Sequence, residues 1–198
     1  MPGADLRPGG RSARVRAALL DAAAATLVEC GPAGFDLAEL ARRAGIGKTT
    51  VYRRWGTVGA VVEDLVADMA ETSLPRADTG TLDGDLAANA ELVRRTLADP
   101  KQGRLFAALI AAATADPATA AALRGFYDRR IAVWQPCVAD AVARGELNPG
   151  TDTAAVVRAV SAPLYYQLLT RGEPPTKDHA GRAARAAAAA ARAGVYRE

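Results

Sequence analysis

The sequence has few residues of the types that build most catalytic and metal-binding sites. It contains one histidine, His179, and two cysteines, Cys30 and Cys137, which lie far apart without a CxxC pair. The cysteines therefore favour a reduced, cytoplasmic setting over a disulfide framework or a metal site. No GxSxG, HExxH or phosphate-binding glycine-rich motif is present either. We therefore expect no enzyme, no catalytic residues, no cofactor and no metal.

Long hydrophobic runs are also missing. No apolar stretch approaches the roughly 20 residues that cross a bilayer, and the alanine run at 186–191 is short and lies between Arg185 and Arg192. The first ten residues lack the apolar segment of a secretory signal. We expect no membrane partner. Half of the 198 residues are hydrophobic, which is enough to form a substantial core.

Strand-forming patterns are nearly absent, whereas alanine, leucine, arginine and glutamate are abundant. Glycine, proline and capping residues divide the chain into helical segments. The sequence predicts an all-α fold of about nine helices, at about 12–30, 36–44, 48–55, 57–72, 82–98, 101–115, 117–144, 153–171 and 177–193.

Positive charge is concentrated near the N-terminus. Residues 1–56 carry nine Lys and Arg against five Asp and Glu, a net charge of +4, whereas the remainder carries 16 against 17. This distribution indicates a surface for a polyanion, although a solvated basic surface would look the same.

The segment 35–55 has the pattern of two short helices joined by a tight turn. Leu37, Leu40 and Ala41 fall on one face of the first helix, and Gly45 can adopt the positive φ of the turn. The second helix presents basic and hydroxyl side chains with little apolar surface. Such a helix suits the major groove of DNA, where donors meet base edges and phosphates.

The stretch from about residue 19 to 65 resembles the tetracycline-repressor (TetR) family. The matching pieces are Leu19-Leu-Asp-Ala-Ala23, Glu29, Gly31, Leu40-Ala41, Ala44-Gly45-Ile46, Thr50-Val-Tyr52 and Trp55. Beyond residue 75 the similarity rests on helix count and on short patterns such as Gly145-Glu-Leu and Pro163–Leu169.

The resemblance implies a role in DNA binding for nine residues: Arg42, Arg43, Lys48, Thr49, Thr50, Tyr52, Arg53, Arg54 and Thr57. Two positions depart from the family pattern. Val58 stands where a phosphate-binding lysine is usual, and Gly47 replaces a serine-like cap. Arg7, Arg11 or Arg14 would be able to compensate.

The resemblance also implies three regions: a disordered basic arm at 1–11, a helix-turn-helix domain at 12–57, and a ligand-binding and dimerisation domain at 58–198. In the last of these, core packing explains most aromatic residues of the long helix, and Phe106, Tyr127 and Trp134 are the candidate walls of an apolar effector pocket. Val157, Val160, Leu164, Tyr165 and Leu168 are candidates for the dimer interface. They would instead face their own core if the last two helices only cover it.

These expectations describe a homodimer that binds double-stranded operator DNA and responds to a small, largely apolar effector. Two-fold symmetry would place the recognition helices roughly 34–36 Å apart, facing a near-palindromic site. Repression is the expected outcome. Activation, and a helical protein-interaction module that has lost DNA binding, are the alternatives that the sequence leaves open.

Overall fold

A computed structural model describes residues 9–31, 35–71 and 76–197. Within these ranges the chain is helical, and the β pairing consists of an isolated bridge between Thr151 and Arg197. The all-α prediction is therefore confirmed. The helices are α1 (Gly9–Cys30), α2 (Leu37–Arg43), α3 (Lys48–Arg54), α4 (Val58–Glu71), α5 (Leu82–Ala98), α6 (Pro100–Ala113), α7 (Pro117–Ala143), α8 (Thr153–Arg171) and α9 (Lys177–Arg192).

The helix ends follow local signals. The Asp36 carboxylate accepts a hydrogen bond from the backbone N–H of Glu39 at 3.3 Å, and so caps α2. Gly45 has a φ of +66°, as the turn between α2 and α3 requires. Thr81 and Asp152 cap α5 and α8 in the same manner as Asp36.

The start of α1 differs from the prediction. The helix begins at Gly9, so residues 9–11 are its first turn and not part of a disordered arm. Ser12 lies inside the helix, where its hydroxyl and carbonyl accept hydrogen bonds from Arg54. The remainder of the predicted arm, including Arg7, lies outside the described residues.

The chain forms two compact units. The first comprises the residues up to Met69 together with Ala108–Leu123, and the second comprises Ala70–Ala107 and Arg124–Glu198. Helix α4 therefore belongs largely with α1–α3, so the division does not coincide with the predicted boundary between residues 57 and 58.

In the first unit, α2 packs against α1 and α3. Leu19, Leu40, Val51 and Val61 are fully buried, one from each of the first four helices. Val51 is the buried residue of α3, so this short helix is fixed by its inner face while its polar face is left to solvent. Packing, more than intrinsic propensity, stabilises a helix of this length.

In the second unit, α5, α8 and α9 pack on one another. Six alanines of α9 are buried, and their small side chains allow neighbouring helices to approach closely. They are Ala180, Ala183, Ala184, Ala187, Ala188 and Ala191. The single histidine has a structural task here, because His179 and Thr176 form a reciprocal capping box at the start of α9.

Candidate nucleic-acid interface

The outer face of α3 is polar, basic and exposed. Lys48, Thr49 and Arg53 are exposed, and Tyr52 is 49% exposed although it is a large aromatic residue. Among the residues that the structure describes, Lys48 and Arg53 have no ion-pair partner. Their charges are therefore available to an external anion.

Arg54 points back into its own unit. Its Nη1 donates to the Ser12 carbonyl at 3.1 Å and to the Ser12 hydroxyl at 3.0 Å, and its guanidinium lies 4.6 Å from the centre of the Trp55 ring. These contacts fasten the last turn of α3 to α1. A contact from Arg54 to DNA would have to compete with them.

Arg42 and Arg43 on α2 are held by carboxylates. Glu39 accepts two hydrogen bonds from Arg42, at 2.6 and 2.7 Å, and one from Arg43 at 3.0 Å. Arg43 also binds Glu29 at 2.6 Å. The hydrogen bonds from Arg42, and then those from Arg43, lower the pKa of Glu39 to about 2. Both arginines are thus locally compensated, although the Arg42 side chain remains 70% exposed.

The hydroxyl residues differ in their setting. Thr50 is half-buried, while Thr57 is exposed and accepts a hydrogen bond from the backbone N–H of Ala60 at 3.2 Å, at the start of α4. Gly47 precedes α3 and supplies no side-chain cap. The backbone N–H groups in the first turn of α3 therefore have no side-chain acceptor at the N-cap.

Sequence reasoning missed a polar network beneath α3. The Trp55 indole N–H donates to Asp64 at 2.9 Å, and Arg16 donates to the other oxygen of the same carboxylate at 2.9 Å. Arg16 also binds Asp68 at 2.6 Å. The one signal in the sequence was a tryptophan at a helix end followed by acidic residues on the next helix, which is too common a pattern to predict a contact.

The second unit contains a cluster of four aromatic rings: Phe106, Phe126, Tyr127 and Tyr165. Ring centres lie 5.5 Å apart for Phe106 and Phe126, 5.6 Å for Tyr127 and Tyr165, and 6.0 Å for Phe106 and Tyr165. Two of the predicted pocket residues, Phe106 and Tyr127, therefore belong to the same cluster. Each of them contacts both Phe126 and Tyr165. The third, Trp134, is buried at 3% exposure and makes no ring contact with the other described aromatics.

The two tyrosines of this cluster, Tyr127 and Tyr165, meet edge to face with ring centres 5.6 Å apart. Burial raises the pKa of Tyr127 to about 12 and raises that of Tyr165 well above its ordinary value. Both are neutral at physiological pH. The cluster therefore offers hydrogen-bonding hydroxyls in an aromatic setting and no negative charge.

Polar atoms elsewhere in the second unit were also missed. The Asn89 side chain is 4% exposed and its Oδ1 has no hydrogen-bond partner, and the same holds for the buried Nη1 of Arg76. Asp85 is buried but accepts hydrogen bonds from the backbone N–H and the hydroxyl of Thr79. Burial raises the pKa of the Cys137 thiol to about 11, so this cysteine is an unreactive core residue.

Three of the five residues predicted for the dimer interface require a correction. Val157, Val160 and Leu164 are at most 4% exposed in the single chain, so they pack inside their own unit and are not available to a partner. Tyr165 belongs to the aromatic cluster, and Leu168 is only half-buried. The hydrophobic stripe of α8 at this spacing is its inner face.

The outward face of α8 carries Tyr166, 64% exposed, and Leu169, 42% exposed. These two side chains are the large apolar residues that α8 leaves in contact with solvent. In the parts of the chain that the structure describes, no group of His, Cys, Asp and Glu side chains is arranged to hold a metal ion. None of the described helices combines the length and apolar character needed to span a bilayer.

An exposed basic helix on a helix-turn-helix scaffold, followed by a helical second unit, defines a class of DNA-binding transcriptional regulators. Comparison with known proteins makes this specific. Residues 19–65 match the family model described as bacterial regulatory proteins, tetR family, and residues 76–187 match that of the tetracyclin repressor-like C-terminal domain. The chain belongs to the TetR family of transcriptional regulators and is not an enzyme.

Among its relatives, the regulator AqdR of Rhodococcus erythropolis is 29% identical over 82% of this chain and 78% of its own length. The DNA-binding transcriptional repressor TetR of Mycobacteroides abscessus is 31% identical over 79% of this chain and 83% of its own. A crystal structure of another TetR-family regulator superposes with a TM-score of 0.67 at 27% identity, covering 88% of this chain and 97% of that one.

Proposed function

We propose that the protein is a ligand-responsive repressor that acts in the cytoplasm as a homodimer. The observation that carries the proposal is the outer face of α3, where unpaired basic and hydroxyl groups stand exposed on a helix whose inner face is anchored by Val51. In a two-fold dimer, two such helices would enter successive major grooves of a near-palindromic operator.

The predicted DNA contacts fall into two groups. Lys48, Thr49, Tyr52 and Arg53 on the exposed face would make the principal contacts to bases and phosphates. The remaining five would contribute less. Thr50 and Thr57 would offer hydroxyls to phosphate, while Arg54, Arg42 and Arg43 already have internal partners. Phosphate contacts set affinity and its salt dependence, whereas base contacts set sequence preference.

We assign dimerisation to the outward face of α8, through Tyr166 and Leu169, in place of the buried stripe. Their exposure leaves apolar surface that a symmetry-related copy would cover. An isologous interface requires this face to meet itself. The spacing of the two recognition helices, and hence operator binding, would depend on it.

The effector would bind in the second unit beside the aromatic cluster, where Phe106 and Tyr127 would line its site and Trp134, outside that cluster, would be a further wall. The aromatic rings favour a largely apolar ligand, and the neutral phenols of Tyr127 and Tyr165 favour one with a hydrogen-bonding group. A ligand that prefers a state in which α4 is displaced would lower DNA affinity by the ratio of its affinities for the two states.

The test is footprinting of the purified protein on the DNA upstream of its own gene. We expect protection of an inverted repeat that is lost in the Lys48→Ala variant. Effectors would then be sought among planar aromatic compounds by thermal shift, and each binder tested for release of the DNA. A protein that leaves this DNA unprotected at low salt would refute the DNA-binding role. Binders that never alter DNA affinity would refute the coupling.

A further inference from the structure

Asp64 connects three helices of the first unit. Its carboxylate lies on α4, accepts from the Trp55 indole at the end of α3, and accepts from Arg16 of α1, both at 2.9 Å. The side chains of Asp64 and Arg16 are each 25% exposed, so the ion pair is partly shielded from solvent. Burial works against ionisation of Asp64, but the hydrogen bonds from Arg16 and Trp55 outweigh it and lower its pKa.

The recognition helix depends on such contacts because it is short. Helix α3 has seven residues, and Gly47 gives its first turn no side-chain cap. At the other end, Trp55 is its C-cap residue and is only 9% exposed. Arg54, stacked on the Trp55 ring, adds the link to Ser12. The last turn is therefore fastened to α4 through Trp55 and to α1 through Arg54.

The first turn of α4 meets the start of α7 at Gly59 and Ala118. A Cβ placed on Gly59 would lie 3.3 Å from the Cβ of Ala118, so the two helices approach more tightly there than most side chains allow. Helix α4 thus contacts the start of α7 at Gly59. About one turn further along α4, the carboxylate of Asp64 accepts the hydrogen bond from Trp55. A displacement of α4 would reach the recognition helix through Asp64.

We propose that Asp64 is a positioning residue for DNA recognition, which transmits the position of α4 to α3 by holding the Trp55 indole. This inference rests on the proposed function, because it concerns regulation of the same DNA-binding surface. Asp64 contacts no DNA in this scheme. It acts by fixing the angle and depth at which α3 presents Lys48, Tyr52 and Arg53.

The test compares Asp64→Ala with Glu63→Ala. Both remove one carboxylate from adjacent positions of α4, and alanine preserves helix propensity, but Glu63 is exposed and makes no described ion pair. Affinity for the footprinted duplex is measured by fluorescence anisotropy. We expect Asp64→Ala to weaken binding about tenfold, the change that corresponds to about 1.4 kcal/mol. Glu63→Ala should leave binding unchanged or tighten it slightly, because a negative charge is lost.

A double-mutant cycle with Trp55→Phe separates positioning from general stability. Trp55→Phe keeps an aromatic ring but removes the N–H donor together with part of the buried indole. If Asp64 acts through the indole N–H, the Asp64→Ala/Trp55→Phe double variant should bind little worse than the more weakly binding single variant. If the two effects multiply, the residues act independently and the proposal is wrong. If Asp64→Ala does not fold at the assay temperature, Trp55→Phe alone must weaken binding severalfold, and unchanged binding would overturn the proposal.

A spectroscopic measurement tests the link without DNA. The chain has two tryptophans, so Trp134→Phe leaves Trp55 as the only source of tryptophan fluorescence. In that background, Asp64→Ala should shift the emission to the red and increase quenching by acrylamide, whereas Glu63→Ala should do neither. Unchanged emission would refute the link. If the parent protein fails to bind the duplex, the proposed function is wrong, and the emission result still decides whether Asp64 holds Trp55.

Discussion

The salt dependence of DNA binding gives the sharpest test of which cations face the operator. The exposed basic residues differ in their internal partners. Lys48 has none in the described chain, whereas Arg42 is bound to Glu39 through two hydrogen bonds of 2.6 and 2.7 Å. Both residues carry one positive charge, so net charge alone predicts the same effect on DNA affinity for Lys48→Ala and Arg42→Ala. Comparing the two variants tests whether a cation paired with a carboxylate contributes less than an unpaired one.

The expected magnitude follows from counterion release. Each phosphate contact contributes about 0.9 to the slope of log affinity against log salt concentration, and a dimer loses two contacts per substitution. Lys48→Ala should therefore reduce the slope by about 1.8. Between about 50 and 200 mM salt, the parent protein should lose about 12-fold more affinity than the variant does. Arg42→Ala should change the slope by clearly less, because the Arg42–Glu39 pair contributes little net charge.

Fluorescence anisotropy with a labelled operator duplex at four or more salt concentrations, with far-UV circular dichroism as a folding control, measures both slopes. A Lys48→Ala slope equal to that of the parent would show that Lys48 does not contact phosphate. An Arg42→Ala slope reduced as far as that of Lys48→Ala would show that Glu39 releases the guanidinium on binding. The second result would refute the proposal that Arg42 contributes less to DNA binding than Lys48 does.

Three further predictions concern other parts of the molecule. Tyr166→Ser removes an exposed aromatic side chain from α8 and should shift the monomer–dimer equilibrium toward monomer in sedimentation experiments. The thermal midpoint of the monomer should remain nearly unchanged, and an unaltered dimer would exclude this face as the dimer interface. Gly103→Ala would place a Cβ against the backbone oxygen of Leu97, so it should lower the free energy of unfolding by about 1–3 kcal/mol in urea titrations, and full stability would contradict the contact. The hydrogen bonds from Arg94, and then Arg95, lower the pKa of Glu91 to about 2. The ionised Glu91 therefore stabilises the folded state above its unfolded pKa of about 4.3, and this contribution is lost as pH falls toward 2. Glu91→Gln should accordingly make the free energy of unfolding less dependent on pH in the acid range.

The single-chain structure also explains why the sequence was misleading about α8. Val157, Val160 and Leu164 recur at helical spacing, which identifies a buried face correctly. Periodicity does not distinguish a face buried in its own unit from one buried by a partner, because both are apolar. The solvent exposure of each side chain in the folded chain was needed to distinguish the buried stripe from the exposed residues Tyr166 and Leu169.

The helices, including the recognition helix α3, were predictable from local sequence signals. Caps, glycines with positive φ and apolar spacing act within a few residues, so Asp36, Gly45 and Val51 specify the helix-turn-helix locally. Which of the charged side chains lack an ion-pair partner could not be predicted in this way. The partners Arg16 and Asp64, or Arg43 and Glu29, are 48 and 14 residues apart, and such pairings exist only once packing has brought particular helix faces together.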